Sequence, residues 1–219
     1  MYKRQESRIW ERKIQEARTK VLNINVSPWL YVATSLLMAG FLYTYYSTVG
    51  IYSTLVTTYL RYPLSFAALV LTVTNAIILF AHLGAGFFSD LVGRRLAFIS
   101  LALASIVIGA PIYAFALRSI AMSSNALLIT LALLGALVNS AYAIHAAYVT
   151  ESYPTLRRGF GYGLSYAMGL IIGAFAPIIL ILMPIGIFAA IAVNAVIGQA
   201  LILGVALSRP ETKYLSMER

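Results

Sequence analysis

The sequence predicts an all-α polytopic membrane protein with six transmembrane helices, and three observations predict it. The 219 residues are 61% hydrophobic and only 11% charged, where a soluble domain would be about half apolar and a quarter charged. The apolar residues gather in runs of the length, about 20 residues, that crosses a hydrocarbon core. The basic residues flank those runs instead of forming a patch, so the net charge of +9 points to membrane orientation and not to nucleic acid. Without cysteine there is no disulfide and no thiolate metal site. The opening MYKRQESRIWERK is charged and lacks a short apolar core, so no signal peptide is expected.

Taken in order, residues 1–24 form a polar linker. Within 2–22, Trp10, Ile14, Ala17 and Val21 recur at helical spacing and give one narrow apolar stripe, with Glu16 placed four residues before Lys20. That pattern is expected of a solvated helix lying on the membrane surface. A transmembrane domain over 25–208 follows, with spans at 28–59, 64–88, 96–117, 125–148, 160–182 and 186–207. The first is overlong and polar in its second half, so a break is expected near Gly50. Met183-Pro184 makes a tight turn between the last two. Residues 209–219 form a tail.

Orientation follows from the cations. Lys3, Arg4, Arg8, Arg12, Lys13, Arg18 and Lys20 precede span one; Arg94 and Arg95 separate spans two and three; Arg157 and Arg158 separate four and five; Arg209, Lys213 and Arg219 follow six. An even span count puts all fourteen on one side, leaving Arg61 and Arg118 on the other. Both termini are therefore expected in the cytoplasm, with the chain in the cell membrane.

Polar side chains inside lipid need protein or a water-filled cavity to face. At about 100° per residue, Tyr43, Tyr46, Ser47, Gly50, Ser53, Thr54 and Thr57 share a face of span one. Thr72, Asn75, His82 and Gly86 share one of span two. Span four carries Asn139, Ser140, Tyr142 and His145, and span five carries Tyr162, Ser165 and Tyr166. Span three is nearly bare, and Asn194 and Gln199 of span six diverge. Spans one, two, four and five are thus expected to line a cavity, with three and six peripheral. The competing explanation is that these groups only join helices to one another. Span five also holds two GxxxG pairs, Gly159/Gly163 and Gly169/Gly173, with Pro177 after them. That pattern fits close helix packing or a helix that bends during gating.

Between spans two and three the chain reads Gly86-x-x-x-Asp90-x-x-Gly93-Arg94-Arg95. Asp90 and Glu151 end helices, where the dipole disfavours acids, and the two arginines open one, where it disfavours cations. Pairing resolves the conflict: Glu151 is expected to meet Arg94 or Arg95, with Arg157 or Arg158 nearby, across a turn that Gly93 permits.

That stretch resembles the loop signature of the major facilitator superfamily, with Leu91 where a basic residue is usual. Glu151-Ser-Tyr-Pro154-Thr155-Leu-Arg-Arg158-Gly159 resembles the corresponding segment of its sugar porters and metabolite–proton symporters. Pro210-Glu211-Thr212-Lys213 resembles the stretch after their last span, with Tyr214 in place of the usual glycine. Glu6-Ser7-x-x-Trp10 resembles the stretch after their sixth, without its prolines. The order implies one half of the family's fold, its central linker and last six spans.

The resemblance further implies a cytoplasmic latch built from Asp90, Gly93, Arg94, Arg95, Glu151, Arg157 and Arg158. Asp90 would then reach toward a second six-helix half. It also implies transport of a sugar, sugar acid or other organic acid, with no cofactor and the proton as coupling ion. No carboxylate lies well inside a span, so the proton carrier is expected in the other half. His82 and His145 could titrate, but both lie toward the cytoplasmic side and read as hydrogen-bonded packing residues. Two alternatives stand beside this reading. One is a half inactive by itself, either a split-gene product or a truncated remnant, which needs a partner half from a separate chain or from its own copy. The other is an intramembrane enzyme using Ser165 with His82 or His145. The stretch Gly163-Leu-Ser165-Tyr-Ala-Met-Gly169 departs from the G-x-S-x-G nucleophile turn, and no HExxH is present.

Overall fold

The computed structural model describes residues 10–16, 25–116 and 123–213, and among these every regular element is helical. Residues 10–16 are helical and exposed, with Arg12 and Glu16 paired at 3.0 Å. Ala17 and Val21 of the expected stripe, Lys20 of the expected pair with Glu16, and Arg118 and Arg219 lie outside the described residues.

The main helices are α1 (Pro28–Ser47), α2 (Leu64–Val92), α3 (Arg94–Ala104), α4 (Ser124–Asn139), α5 (Tyr142–Ser152), α6 (Arg158–Gly173), α7 (Ala176–Leu182) and α8 (Ile187–Ser208). Helix α3 runs on into wider π turns at Ser105–Gly109 and Ile112–Ala116. Five helical stretches are long and apolar enough to cross a membrane: Leu64–Val92, Arg94–Phe115, Ser124–Ser152, Thr155–Leu182 and Ile187–Ser208. They correspond to expected spans two to six. Pro28–Ser47 is not among the five; with Tyr31, Thr34, Ser35, Tyr43, Thr44, Tyr45, Tyr46 and Ser47 it is more polar than they are. It is nevertheless mostly buried and packs chiefly on α6 and α8.

Packing of α1 uses absent side chains. A Cβ on Gly40 would stand 2.7 Å from the Gly198 carbonyl of α8, and one on Gly173 would stand 2.6 Å from Leu42 Cβ. Lipid is as apolar as leucine, so helices associate in a membrane through such close backbone approach. The two GxxxG pairs behave differently. Gly169 and Gly173 seat against Met38, Ala39, Leu42 and Tyr43, whereas Gly159 and Gly163 have open space where a Cβ would be.

The break in span one falls at Thr48 (φ −114°, ψ −90°), after which the chain tightens through Val49–Ile51. Its cause is local. Thr44, Ser47 and Thr48 each donate a side-chain hydroxyl to a carbonyl one turn back, at 2.8, 2.7 and 2.6 Å, which competes with the helical ladder and bends it. Span five is interrupted in turn at Ala174 and Phe175, and Pro177 lies in the first turn of α7.

The buried residues form two clusters. One surrounds Val49, Tyr52, Leu55, Tyr113, Leu131 and Ile191. The other surrounds Leu37, Phe41, Phe98, Ile144, Tyr148 and Ile202, nearer the end that carries Asp90, Arg94, Glu151 and Glu211. Within the first, Tyr52 and Tyr113 are fully buried and share a hydroxyl contact, and Tyr52 donates to the Leu131 carbonyl at 2.9 Å. Spans one, three and four are thereby tied together.

Candidate functional site

Between the two clusters lies a cavity of about 290 Å³. Phe41, Leu42, Tyr45 and Tyr46 line it from α1, Asn75, Ile78 and His82 from α2, Asn139 and Tyr142 from the α4–α5 span, and Tyr166 from α6. These four spans are the ones whose polar stripes mark them in the sequence; α3 and α8 contribute nothing to the wall. Among the described residues no Asp, Glu, Lys or Arg lines it.

Five expected lining residues fall on this wall: Tyr46, Asn75, Asn139, Tyr142 and Tyr166. Five do not. Tyr43 is buried against α8 and donates its hydroxyl to Asn194 Oδ1. Ser47 is fully buried, its hydroxyl on the Tyr43 carbonyl. Ser53 lies beyond the break, its carbonyl accepting from Thr57 at 2.8 Å. Tyr162 packs at 5.5 Å from the His145 ring. Ser165 is fully buried and donates to Thr34 Oγ1 and the Gly161 carbonyl, each at 2.7 Å. Neither bond joins it to a histidine, so the serine–histidine arrangement of the enzyme alternative is not formed. On α1 the reason is angular: the wall turns about one residue step, roughly 100°, away from the centre of the hydroxyl stripe. Within that stripe Tyr43 joins two helices and Ser47 bonds its own, while Tyr45, which the stripe omits, faces the cavity.

The histidines differ. His82 Nε2 lies 3.0 Å from the Asn139 carbonyl, at the cavity wall. His145 is buried among the rings of Phe41, Tyr142 and Tyr162 and lies parallel to Tyr142 at 6.2 Å. Among the described residues its Nε2 has no hydrogen-bond partner, and ring contacts surround it.

Span four is interrupted at Ser140 and Ala141, between α4 and α5. The freed carbonyls are met from several directions. Leu137 O accepts from Ser105 at 3.3 Å and Ser140 at 2.9 Å, Val138 O from Gln199 Nε2 at 2.7 Å, and Asn139 O faces His82. Side chains of spans two, three and six thus replace the missing helical donors, which buried carbonyls require.

The charged loops converge at one end. Arg94 touches Asp90 and donates to Ser89 Oγ at 2.7 Å, while its Nη2 lies 3.3 Å from Glu151 Oε1. Asp90 therefore has a partner within this chain, contrary to the expectation that it would need another half. The Gly93 bend (φ 101°) brings the first residue of α3 back over the last turn of α2. Arg95 reaches elsewhere, to the Ala206 and Leu207 carbonyls at 2.8 and 3.1 Å, which terminate α8. Arg158 Nε donates to the Tyr153 carbonyl at 3.1 Å, and Arg157 lines a separate surface cavity with Asn25, Tyr31 and Phe160.

Glu211 completes the cluster; the sequence marks it only as part of the Pro210–Lys213 motif and not as a latch residue. Its carboxylate accepts from the backbone N–H groups of Arg94, Arg95, Thr212 and Lys213 at 2.9–3.0 Å. It thus caps the N-terminus of α3, where an anion is favoured. Burial pushes its carboxyl up, but the four backbone donors outweigh burial and hold it below the usual carboxylate range. Thr212 Oγ1 also donates to Glu151 Oε2 at 2.6 Å. The signal that could have located Glu211 is the uncapped start of α3, where two cations stand without an acid in the first turn.

The family model described as Major Facilitator Superfamily matches residues 18–216. No curated protein matches the chain.

Proposed function

The chain belongs to the Major Facilitator Superfamily, and from that premise we propose that it is the C-terminal six-helix half of a proton-coupled symporter for a small polar solute. A sugar, sugar acid or other organic acid is the class that the motifs favour. In this reading Pro28–Ser47 with its continuation is the first of six spans, and the charged end lies in the cytoplasm. The solute sits against the wall of Tyr46, Asn75, Asn139, Tyr142 and Tyr166. The proton-carrying carboxylate belongs to a second half, with which this half rocks around a shared site.

The observation that carries the proposal is the cavity itself. Its walls come from spans one, two, four and five alone. At about 290 Å³ it is at the small end of ligand pockets, as one side of a shared site would be. The Asp90–Arg94–Glu151 cluster serves as the latch that opens when the halves rock.

The test is uptake of labelled sugars, sugar acids and organic acids into proteoliposomes under an imposed pH gradient. The chain is assayed alone and co-expressed with its neighbouring open reading frames. Gradient-driven uptake that Tyr46→Ala weakens supports the reading; gradient-independent uptake rejects the proton coupling, and no uptake in either format rejects the carrier role.

A further inference from the structure

We propose that this cavity receives an alkylated ammonium group, so that the solute is an organic cation or a zwitterion presenting its cationic end to this wall. The inference rests on the carrier reading above, keeps its small polar solute, and replaces the sugar and organic-acid class that the motifs favour.

Three observations converge. Aromatic rings dominate the wall: Phe41, Tyr45, Tyr46, Tyr142 and Tyr166 all face the cavity, and the negative faces of such rings attract an onium group that has shed its water. Ring contacts set them at angles to one another, with Tyr45–Tyr46 at 5.8 Å and 70° and Phe41–Tyr142 at 5.8 Å and 85°. The second observation is the missing cation. Among the described residues no Lys or Arg lines the cavity, so a carboxylate set against this wall would lose water and gain no opposite charge from it.

The third is the way the fixed polar groups are used. Asn75 Nδ2 donates to the Leu71 carbonyl at 2.8 Å, and Asn139 Nδ2 donates to the Gly135 carbonyl at 2.9 Å. Each amide is anchored through one of its two N–H groups, which leaves Oδ1 as an unengaged acceptor beside the second N–H. His82 Nε2 faces the Asn139 carbonyl, which can only accept, so Nε2 carries the hydrogen and Nδ1 of the neutral ring holds a lone pair. Two amide oxygens and one imidazole nitrogen, set among aromatic rings, offer acceptors to a positively polarised guest. A quaternary ammonium suits this wall especially, since its polarised methyl groups need no strong hydrogen bond.

The experiment is calorimetric titration of the full chain in nanodiscs with choline, with 3,3-dimethylbutan-1-ol (the same shape without charge), with glucose and with gluconate. Choline is expected to bind at least tenfold more tightly than the neutral isostere, and gluconate is expected not to displace it. Tyr46→Phe keeps the ring and is expected to bind choline within about twofold of wild type, while Tyr46→Leu weakens it at least tenfold; thermal melts confirm that both variants fold. Equal affinity for choline and its isostere, tighter binding of glucose or gluconate, or no choline binding overturns the proposal. Proton-driven uptake of gluconate or glucose by a chain indifferent to choline would sink this inference and leave the carrier reading standing. Choline binding without uptake of any solute would do the reverse.

Discussion

Arg94 Nη2 lies 3.3 Å from Glu151 Oε1, joining the first residue of α3 to the last turn of α5, and both side chains are largely shielded from solvent. A shielded pair with additional hydrogen bonds couples more strongly than an exposed one. A double-mutant cycle of Arg94→Ala and Glu151→Gln, read by thermal unfolding in detergent, is expected to give a coupling energy of about 1–2 kcal/mol. Simple additivity of the two losses would mean that the pair contributes nothing.

Asp90 shares Arg94 from the exposed side. Asp90→Asn is expected to slow solute uptake several-fold while expression and membrane insertion stay at wild-type levels. Uptake rates identical to wild type would remove Asp90 from the latch.

Glu211 gives the charged end a pH dependence of known sign. Its folded pKa is lowered from the ordinary value of 4.5, so its stabilising contribution is complete above that value and is lost as pH falls through the folded one. The difference in melting temperature between wild type and Glu211→Gln is therefore expected to be constant from neutral pH down to about pH 5, then to shrink on further acidification. A difference that grows toward acid would contradict the cap.

Tyr43 and Tyr46 lie on one helix but serve different ends. Tyr43→Phe removes the donor to Asn194 and is expected to lower stability by about 0.5–1.5 kcal/mol with the half-saturation constant unchanged. Tyr46→Ala, on the cavity wall, is expected to raise that constant several-fold. Concentration-dependent uptake and thermal melts on the same preparations separate the two effects.

The two glycine pairs of α6 are expected to part in the same way. Alanine at Gly169 would place its methyl 2.5 Å from Met38 Cγ and 2.9 Å from Ala39 N, which costs about 1–3 kcal/mol by overpacking. Alanine at Gly163 meets open space and is expected to be neutral or slightly stabilising. Paired melts of the two variants check this.

The helical architecture was legible in the sequence because lipid allows so few solutions. Runs such as Leu64–Val92 and Ile187–Ser208 announce themselves by length and apolarity, and the hydroxyl-rich half of span one announces its break. The four spans that line the cavity were legible as well, since polar groups have nowhere else to go. Which face of α1 turns inward was not. Ser47 satisfies itself on its own helix and Tyr43 reaches across to Asn194, so a stripe of hydroxyls mixes wall with seam. Two partnerships were hidden for a different reason. Glu211 and Arg94 are far apart in the chain, and no local pattern in the tail marks its acid as a cap. Asp90 was expected to need a distant partner because a turn at Gly93, though legible, does not by itself say that Arg94 folds back onto Asp90.

The interruption of span four has an evolutionary corollary. Peptide groups 137 to 139 are moored to Ser105, Gln199 and His82, each belonging to a different helix. Such a stretch has no private history: losing the amide at position 199 would strand a carbonyl unless the break itself healed. Residues 82, 105 and 199 are thus expected to drift together across descendants, leaving a correlated imprint among positions that never touch one another in sequence.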